Sequence, residues 1–229
     1  MIVSVQNYHQ TLGKRSILSN LNFQIQKGEI VGLIGPSGSG KTTLIKTLIG
    51  LQQPTEGEVF VLGHQQPTLA VSREIGYMAQ SDALYEDLSA RGNLNYFGKL
   101  YGLKKEILSN RIHFVLEFVN LLQDANRPVR FFSGGMKRRL SLAIALIHQP
   151  LFLLLDEPTV GIDPVLKQLF WKEFETLRSS GVTLLITTHI MDEAERCDRL
   201  LLIQNGKLVE SGSPAQLKQQ FGSIENAFL

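Results

Sequence analysis

A chain of 229 residues, 43% apolar and 19% charged, has the balance of a folded globular protein and the length to bury a sizeable core. Its formal net charge of +2 is too small to argue for nucleic acid. The single cysteine, Cys197, excludes an internal disulfide framework or cysteine-rich zinc site and suggests a reducing compartment.

The opening "MIVSVQNY" and the stretch "SNLNFQIQKGE" (19–29) alternate as strands, the second through Leu21, Phe23 and Ile25. "EIVGLIG" (29–35) is an apolar run closed by glycine, as in a buried strand. In "TTLIKTLIGL", Leu44/Ile45 and Leu48/Ile49 recur four apart, which is helical spacing. "PTEGEVFVLG" (54–63) reads as a turn and a short strand. From Leu84 to His148 the character is helical, through "RGNLNYFGKLYGL", "EILSNRIHFVLEFVNLL" and "MKRRLSLAIALIH". "LFLLLDE" and "GVTLLITTH" resume the strands, with helix-like "VLKQLFWKEFETLRSS" between them. "RLLLIQNGKLVESG" is a hairpin signal around Asn205-Gly206, and Ser213, Pro214 and Gln216 then form a helix-opening capping box. Strands alternating with helices predict an α/β domain, with a core over 1–83 and 149–229 and an all-helical subdomain over 84–148. No run approaches the roughly 18 apolar residues of a membrane helix, and the N-terminus lacks a signal-peptide pattern. Work at a membrane would need another chain to span it.

"GPSGSGKTT" fits G-x-x-x-x-G-K-[ST] between a predicted strand and a predicted helix. Gly35, Gly38 and Gly40, with Pro36, Ser37 and Ser39, let the loop turn its N–H groups inward as a nest for phosphate oxygens. Lys41 supplies a point charge to the β/γ phosphates, Thr42 a hydroxyl to Mg²⁺, and the helix opening at Thr42 and Thr43 its positive end. The pattern therefore predicts a nucleoside triphosphate site. "LFLLLDEP" places Asp156 at the carboxyl end of a buried strand, where it would hold Mg²⁺ through water. Glu157, with no metal role left to fill, is read as the residue that polarises the attacking water. His189 ends another core strand and is either structural or a γ-phosphate contact, and Gln80 is an ordinary glutamine unless the fold brings it to the metal.

"FFSGGMKRRLSLAIA" (131–145) sets Ser133, Gly134 and Gly135 before a helix, an N-cap followed by bare amides that would bind an anion. Nothing within the stretch could hydrolyse or coordinate anything. Lys137, Arg138 and Arg139 beside it read as a solvated or interfacial face rather than a nucleic-acid patch.

In order, "GPSGSGKT", Gln80, "SGG", "LLLDEP", Asp163 and His189 resemble the nucleotide-binding subunit of ATP-binding cassette (ABC) transporters over essentially the whole chain. The resemblance implies a P-loop NTPase core with a mainly parallel central sheet, an N-terminal antiparallel β portion and an inserted helical subdomain. It also implies an ATPase that uses ATP and Mg²⁺. Two cassettes would pack head to tail, each presenting Ser133, Gly134 and Gly135 to the γ-phosphate held by the other, with Asp163 across the interface. Glu157 would be the catalytic glutamate, His189 would contact the γ-phosphate, and Gln80 would touch the metal and relay movement to an integral-membrane permease docked on 84–148. The chain would then sit on the cytoplasmic face of the membrane through that permease, as a homodimer or with a different cassette, with no nucleic-acid partner. "FSGGMKRRL" and "DEPTVGIDP" are similar to the branch exporting drugs, antibiotics and glycans. Import, or a cassette ATPase acting on the ribosome or DNA, are the alternatives. Two positions depart from the family pattern: Met136 replaces the signature glutamine, and Leu12 stands where an aromatic ring stacks on adenine.

Overall fold

The computed structural model describes residues 1–228. In chain order it contains β1 (Val3–Leu12), β2 (Arg15–Ile25), β3 (Ile30–Ile34), α1 (Lys41–Leu48), β4 (Glu56–Val61), β5 (His64–Gln65) and β6 (Ile75–Met78). Helices α2 (Ala90–Leu100), α3 (Lys105–Phe118) and α4 (Gly134–Leu146) follow. The chain then returns to β7 (Phe152–Asp156), α5 (Pro164–Ser179), β8 (Thr183–Thr188), α6 (Met191–Ala194), β9 (Arg199–Gln204), β10 (Lys207–Gly212) and α7 (Pro214–Phe221). One sheet is antiparallel, in the order β2-β1-β4-β5. The other runs β10-β9-β3-β8-β7-β6 and is parallel except for β10. This is the α/β fold with an antiparallel N-terminal portion and a mainly parallel central sheet.

Strands β3, β7 and β8 are buried at every residue, because both faces of the central sheet are covered. Leu153 and Leu155 of β7 join Leu140, Phe170, Trp171 and Phe174 of α4 and α5 on one face. Phe152 and Leu154 point the other way, into a second core with Val31, Leu33, α1 and the antiparallel sheet. Each fully buried leucine contributes on the order of 1.5–3 kcal/mol, so the two cores fix where β3 and β7 end.

Several elements match their sequence signals in detail. Asn205 (φ 49) and Gly206 (φ 74) make the tight β9–β10 turn, and the Ser213/Gln216 capping box opens α7. Other elements were not predicted. "EIGYMAQ" contains β6, only four residues long, which gains its identity from parallel pairing to β7. β1 runs on to Leu12 through register shifts around Val5, Tyr8 and Gln10, with Asn7 at φ 48. Those irregularities erase the alternation that would have marked its second half.

Candidate functional site

The loop from Gly35 to Gly40 joins the end of β3 to the start of α1. Gly40, at φ 103, caps that helix, and a Cβ there would stand 2.5 Å from Leu18 Cδ2. Gly35 is equally obligatory, because an added Cβ would run into the Ile203 carbonyl. Ser39 is buried, while Pro36, Ser37 and Gly38 face solvent. Lys41 Nζ donates to the carbonyls of Gly35 at 2.7 Å and Pro36 at 3.1 Å, closing the loop on itself. Burial lowers its pKa from the ordinary lysine value, and the charges of Glu157 and Asp156 offset part of that loss.

β8 lies between β3 and β7, and this order assembles the acidic side of the site. Asp156, 2% exposed, accepts from Thr42 Oγ1 at 3.1 Å and from Thr187 Oγ1 at 2.6 Å. The same threonine oxygen accepts the Glu157 N–H at 2.8 Å. Glu157 sits at φ 50, a left-handed conformation that costs an L side chain roughly 1–2 kcal/mol. Its carboxylate accepts from Gln80 Nε2 at 2.8 Å on one oxygen and lies 3.4 Å from His189 Nδ1 on the other. Gln80 and His189, uncertain from the sequence, thus meet Glu157 at one point. Thr187 was missed, although "TTH" at the end of β8 held the signal.

A cleft of about 430 Å³ opens over these groups, lined by the phosphate loop from Ser37, by Lys41 to Thr43, by Gln80 and Glu157, and by Arg15 and Ile17. Leu12 is not part of its wall and is 52% exposed. Leu12 pairs directly with Arg15 across the β1–β2 hairpin, so both belong to one face, and Arg15 is the one that reaches the cleft. The Thr42 hydroxyl beside the Asp156 carboxylate is a hard oxygen pair, which fits Mg²⁺. That ion is held by one or two protein oxygens plus substrate phosphates rather than by an all-protein cage. Among the described residues no group of three His, Cys, Asp or Glu side chains could supply such a cage.

Ser133 caps α4 by accepting the Met136 N–H at 3.2 Å, and Gly134 follows it in the open. Ser133, Gly134 and Gly135 do not line the cleft. Asp163 caps α5, accepting from Val165 and Leu166 N–H at 3.1 and 3.0 Å, ahead of Pro164. The expectation of a solvated or interfacial basic face at 137–139 is corrected at Arg138. Lys137 pairs with Glu86, Arg139 donates to the Val119 and Asn120 carbonyls at the end of α3, and Arg138 is buried at 6% exposure. Helix packing of α4 against β6 turns the middle residue inward.

Residues 18–160 match the family model described as ABC transporter. The Nod factor export ATP-binding protein I of Ralstonia nicotianae is 40% identical over 219 residues, 94% of this chain and 68% of that protein. The "Probable multidrug ABC transporter ATP-binding protein YbhF" of Escherichia coli is 38% identical over 226 residues, 98% of this chain but 39% of that longer protein. The solved ATP binding subunit of an ABC transporter superposes with a TM-score of 0.90 at 27% identity, covering 100% of this chain and 98% of that one. A dimeric, post-hydrolysis ATP-binding cassette bound to ADP and Pi gives 0.84 at 27% identity, covering 93% and 98%. With the phosphate loop and Glu157 lining one cleft and the buried Asp156 bonded to the Thr42 hydroxyl beneath it, the chain belongs to the ABC transporter family, as one of its ATP-binding cassette ATPases.

Proposed function

We propose that this cassette hydrolyses ATP between two head-to-tail copies and so powers export through separate membrane-spanning subunits. The observation that carries the reading is the split between two anion sites. The cleft holds Lys41, Gln80 and Glu157, while the start of α4, with Ser133 and Gly134 exposed and Gly135 half-buried, lies outside it. A γ-phosphate seated on the loop would leave the second site free to be met by another molecule's nucleotide. Asp163, exposed at the start of α5, would face the same interface.

Within one site, the amides from Gly35 to Gly40 and the opening of α1 at Thr42 and Thr43 would cradle the phosphates. Lys41 would exchange its two loop carbonyls for phosphate oxygens, to which its charge is better matched. Thr42, Asp156 and Gln80 would hold Mg²⁺, which neutralises phosphate charge when bound with the nucleotide. Glu157 would orient and deprotonate the attacking water, and His189 would hold the γ-phosphate opposite it. Ile17 and the Arg15 guanidinium would take the base in place of a ring at position 12.

Among the described residues no helix is long and apolar enough to cross a membrane, so coupling would pass to permease subunits docked on 84–148. The cassette would then sit on the inner membrane face, held there by the permease. The export direction rests on the relatives named for Nod factor export and multidrug transport. The test is light scattering on Glu157→Gln protein with and without ATP·Mg²⁺. An ATP-dependent shift from monomer to dimer supports the shared site; a monomer that binds ATP overturns it for two copies of this chain.

A further inference from the structure

Arg138 lies one turn into α4, just past the exposed Ser133 and Gly134, yet its guanidinium is turned into the protein and away from solvent. Nη1 donates to the carbonyls of Ala79 and Gln80, each at 2.9 Å, and to Asp82 Oδ1 at 3.2 Å. Nη2 donates to the Glu157 carbonyl at 2.8 Å and the Asp156 carbonyl at 3.4 Å, and Nε to the Pro158 carbonyl at 3.3 Å. All three nitrogens of a planar fork donate, which a lysine ammonium could not reproduce across two segments this far apart in sequence. Ser141, three residues further along the same helix, donates to the same Asp82 oxygen at 2.7 Å and fixes the clamp from its other side.

The contacts close a ring. Arg138 holds the Gln80 carbonyl, the Gln80 side chain holds the Glu157 carboxylate, and the Glu157 carbonyl returns to Arg138. Glu157 keeps its left-handed backbone with both of its peptide groups tied, the N–H by Thr187 and the carbonyl by Arg138. We propose that Arg138 is a positioning residue that sets the carboxylate of Glu157 from the start of the α4 helix. Engagement of Ser133–Gly135 by a second copy's nucleotide is thereby transmitted to this copy's own water-activating group through one helical turn. The inference rests on the proposed roles of Glu157 and of the shared site.

The experiment compares steady-state ATP hydrolysis, nucleotide affinity and thermal melting for the parent, Glu157→Gln, Arg138→Lys and Asp82→Asn proteins. Arg138→Lys keeps the charge but loses the fork, so kcat is expected to fall about 10²-fold from misplacement of the carboxylate, with KM and ATP affinity within about threefold of the parent. In the Glu157→Gln background, Arg138→Lys is expected to leave ATP-driven dimerisation intact, since the Ser133–Gly135 segment is untouched. Unchanged kcat in a folded Arg138→Lys protein overturns the proposal, as does a loss of kcat and affinity together with melting, which marks a general structural role. If Arg138→Lys fails to fold, Asp82→Asn decides: it loosens one side of the clamp, and a several-fold kcat loss at constant KM supports the proposal while parent-like kcat overturns it. A parent without ATPase activity, or Glu157→Gln with parent activity, instead overturns the reading of the site itself.

Discussion

Glu157 is a side chain whose chemistry and backbone are both unusual, since a carboxylate residue at φ 50 stays there only if its surroundings hold it. Thr187 and Arg138 do so, and they leave the carboxylate pinned between Gln80 and His189. Glu157→Gln retains the shape but removes the carboxylate proposed as the base. Turnover is expected to fall about 10²–10⁴-fold with ATP affinity unchanged, measured by phosphate release alongside calorimetric titration. At the Arg15–Ile17 end of the cleft, proposed to take the nucleobase, Leu12 stands outside the wall and Arg15 within it. Leu12→Tyr would restore a ring on the same hairpin face, and ring contact worth about 0.5–1.5 kcal/mol would tighten ATP binding roughly two- to tenfold. Calorimetry showing no gain would mean that the base sits elsewhere.

At the scale of elements, β8 acts as the spacer that lets β3 and β7 deliver a lysine loop and a carboxylate to the same place. The hydroxyl of Thr187, next to the end of β8, serves Asp156 and Glu157 at once. Thr187→Val keeps the volume and leaves a buried carboxylate oxygen and an amide without partners, for a loss of about 2–4 kcal/mol in urea denaturation. The junction of α4 with β6 is held by His148, which stacks on Tyr101 at 3.7 Å and donates from Nε2 to the Ile75 carbonyl at 3.0 Å. Burial pushes its pKa down to about 4 from 6.5, and nearby Arg111 pushes the same way. The unfolded chain therefore takes up this proton first, so stability falls as pH drops from about 6.5 toward 4. The contribution lost is roughly 3 kcal/mol, and His148→Gln should flatten that part of a stability-versus-pH curve.

For the whole molecule, the capped starts of α4 and α5 lie outside the cleft, and the proposed function gives them a second copy's nucleotide to meet. Ser133→Ala should cost about 1 kcal/mol of stability as a lost cap, yet abolish ATP-driven dimerisation of the Glu157→Gln protein. Unchanged dimerisation by light scattering would reduce Ser133 to a cap. The sequence by itself determined the parts that are encoded locally. The glycine loop, the caps at Ser133 and Ser213, the Asn205-Gly206 hairpin and the apolar strand ahead of Asp156 each depend on residues a few positions apart, where backbone conformation and periodicity leave a direct trace. Only the tertiary structure decided what depends on the order of strands. Thr187 reached Asp156 because β8 runs between β3 and β7, and β6 became a strand because β7 offered it a partner. Arg15 rather than Leu12 faces the cleft, and of three adjacent basic residues the middle one is buried against carbonyls from β6 and β7 ends. Contacts between residues separated by tens of positions are set by which faces pack together, and a linear pattern carries no record of the neighbour that will arrive.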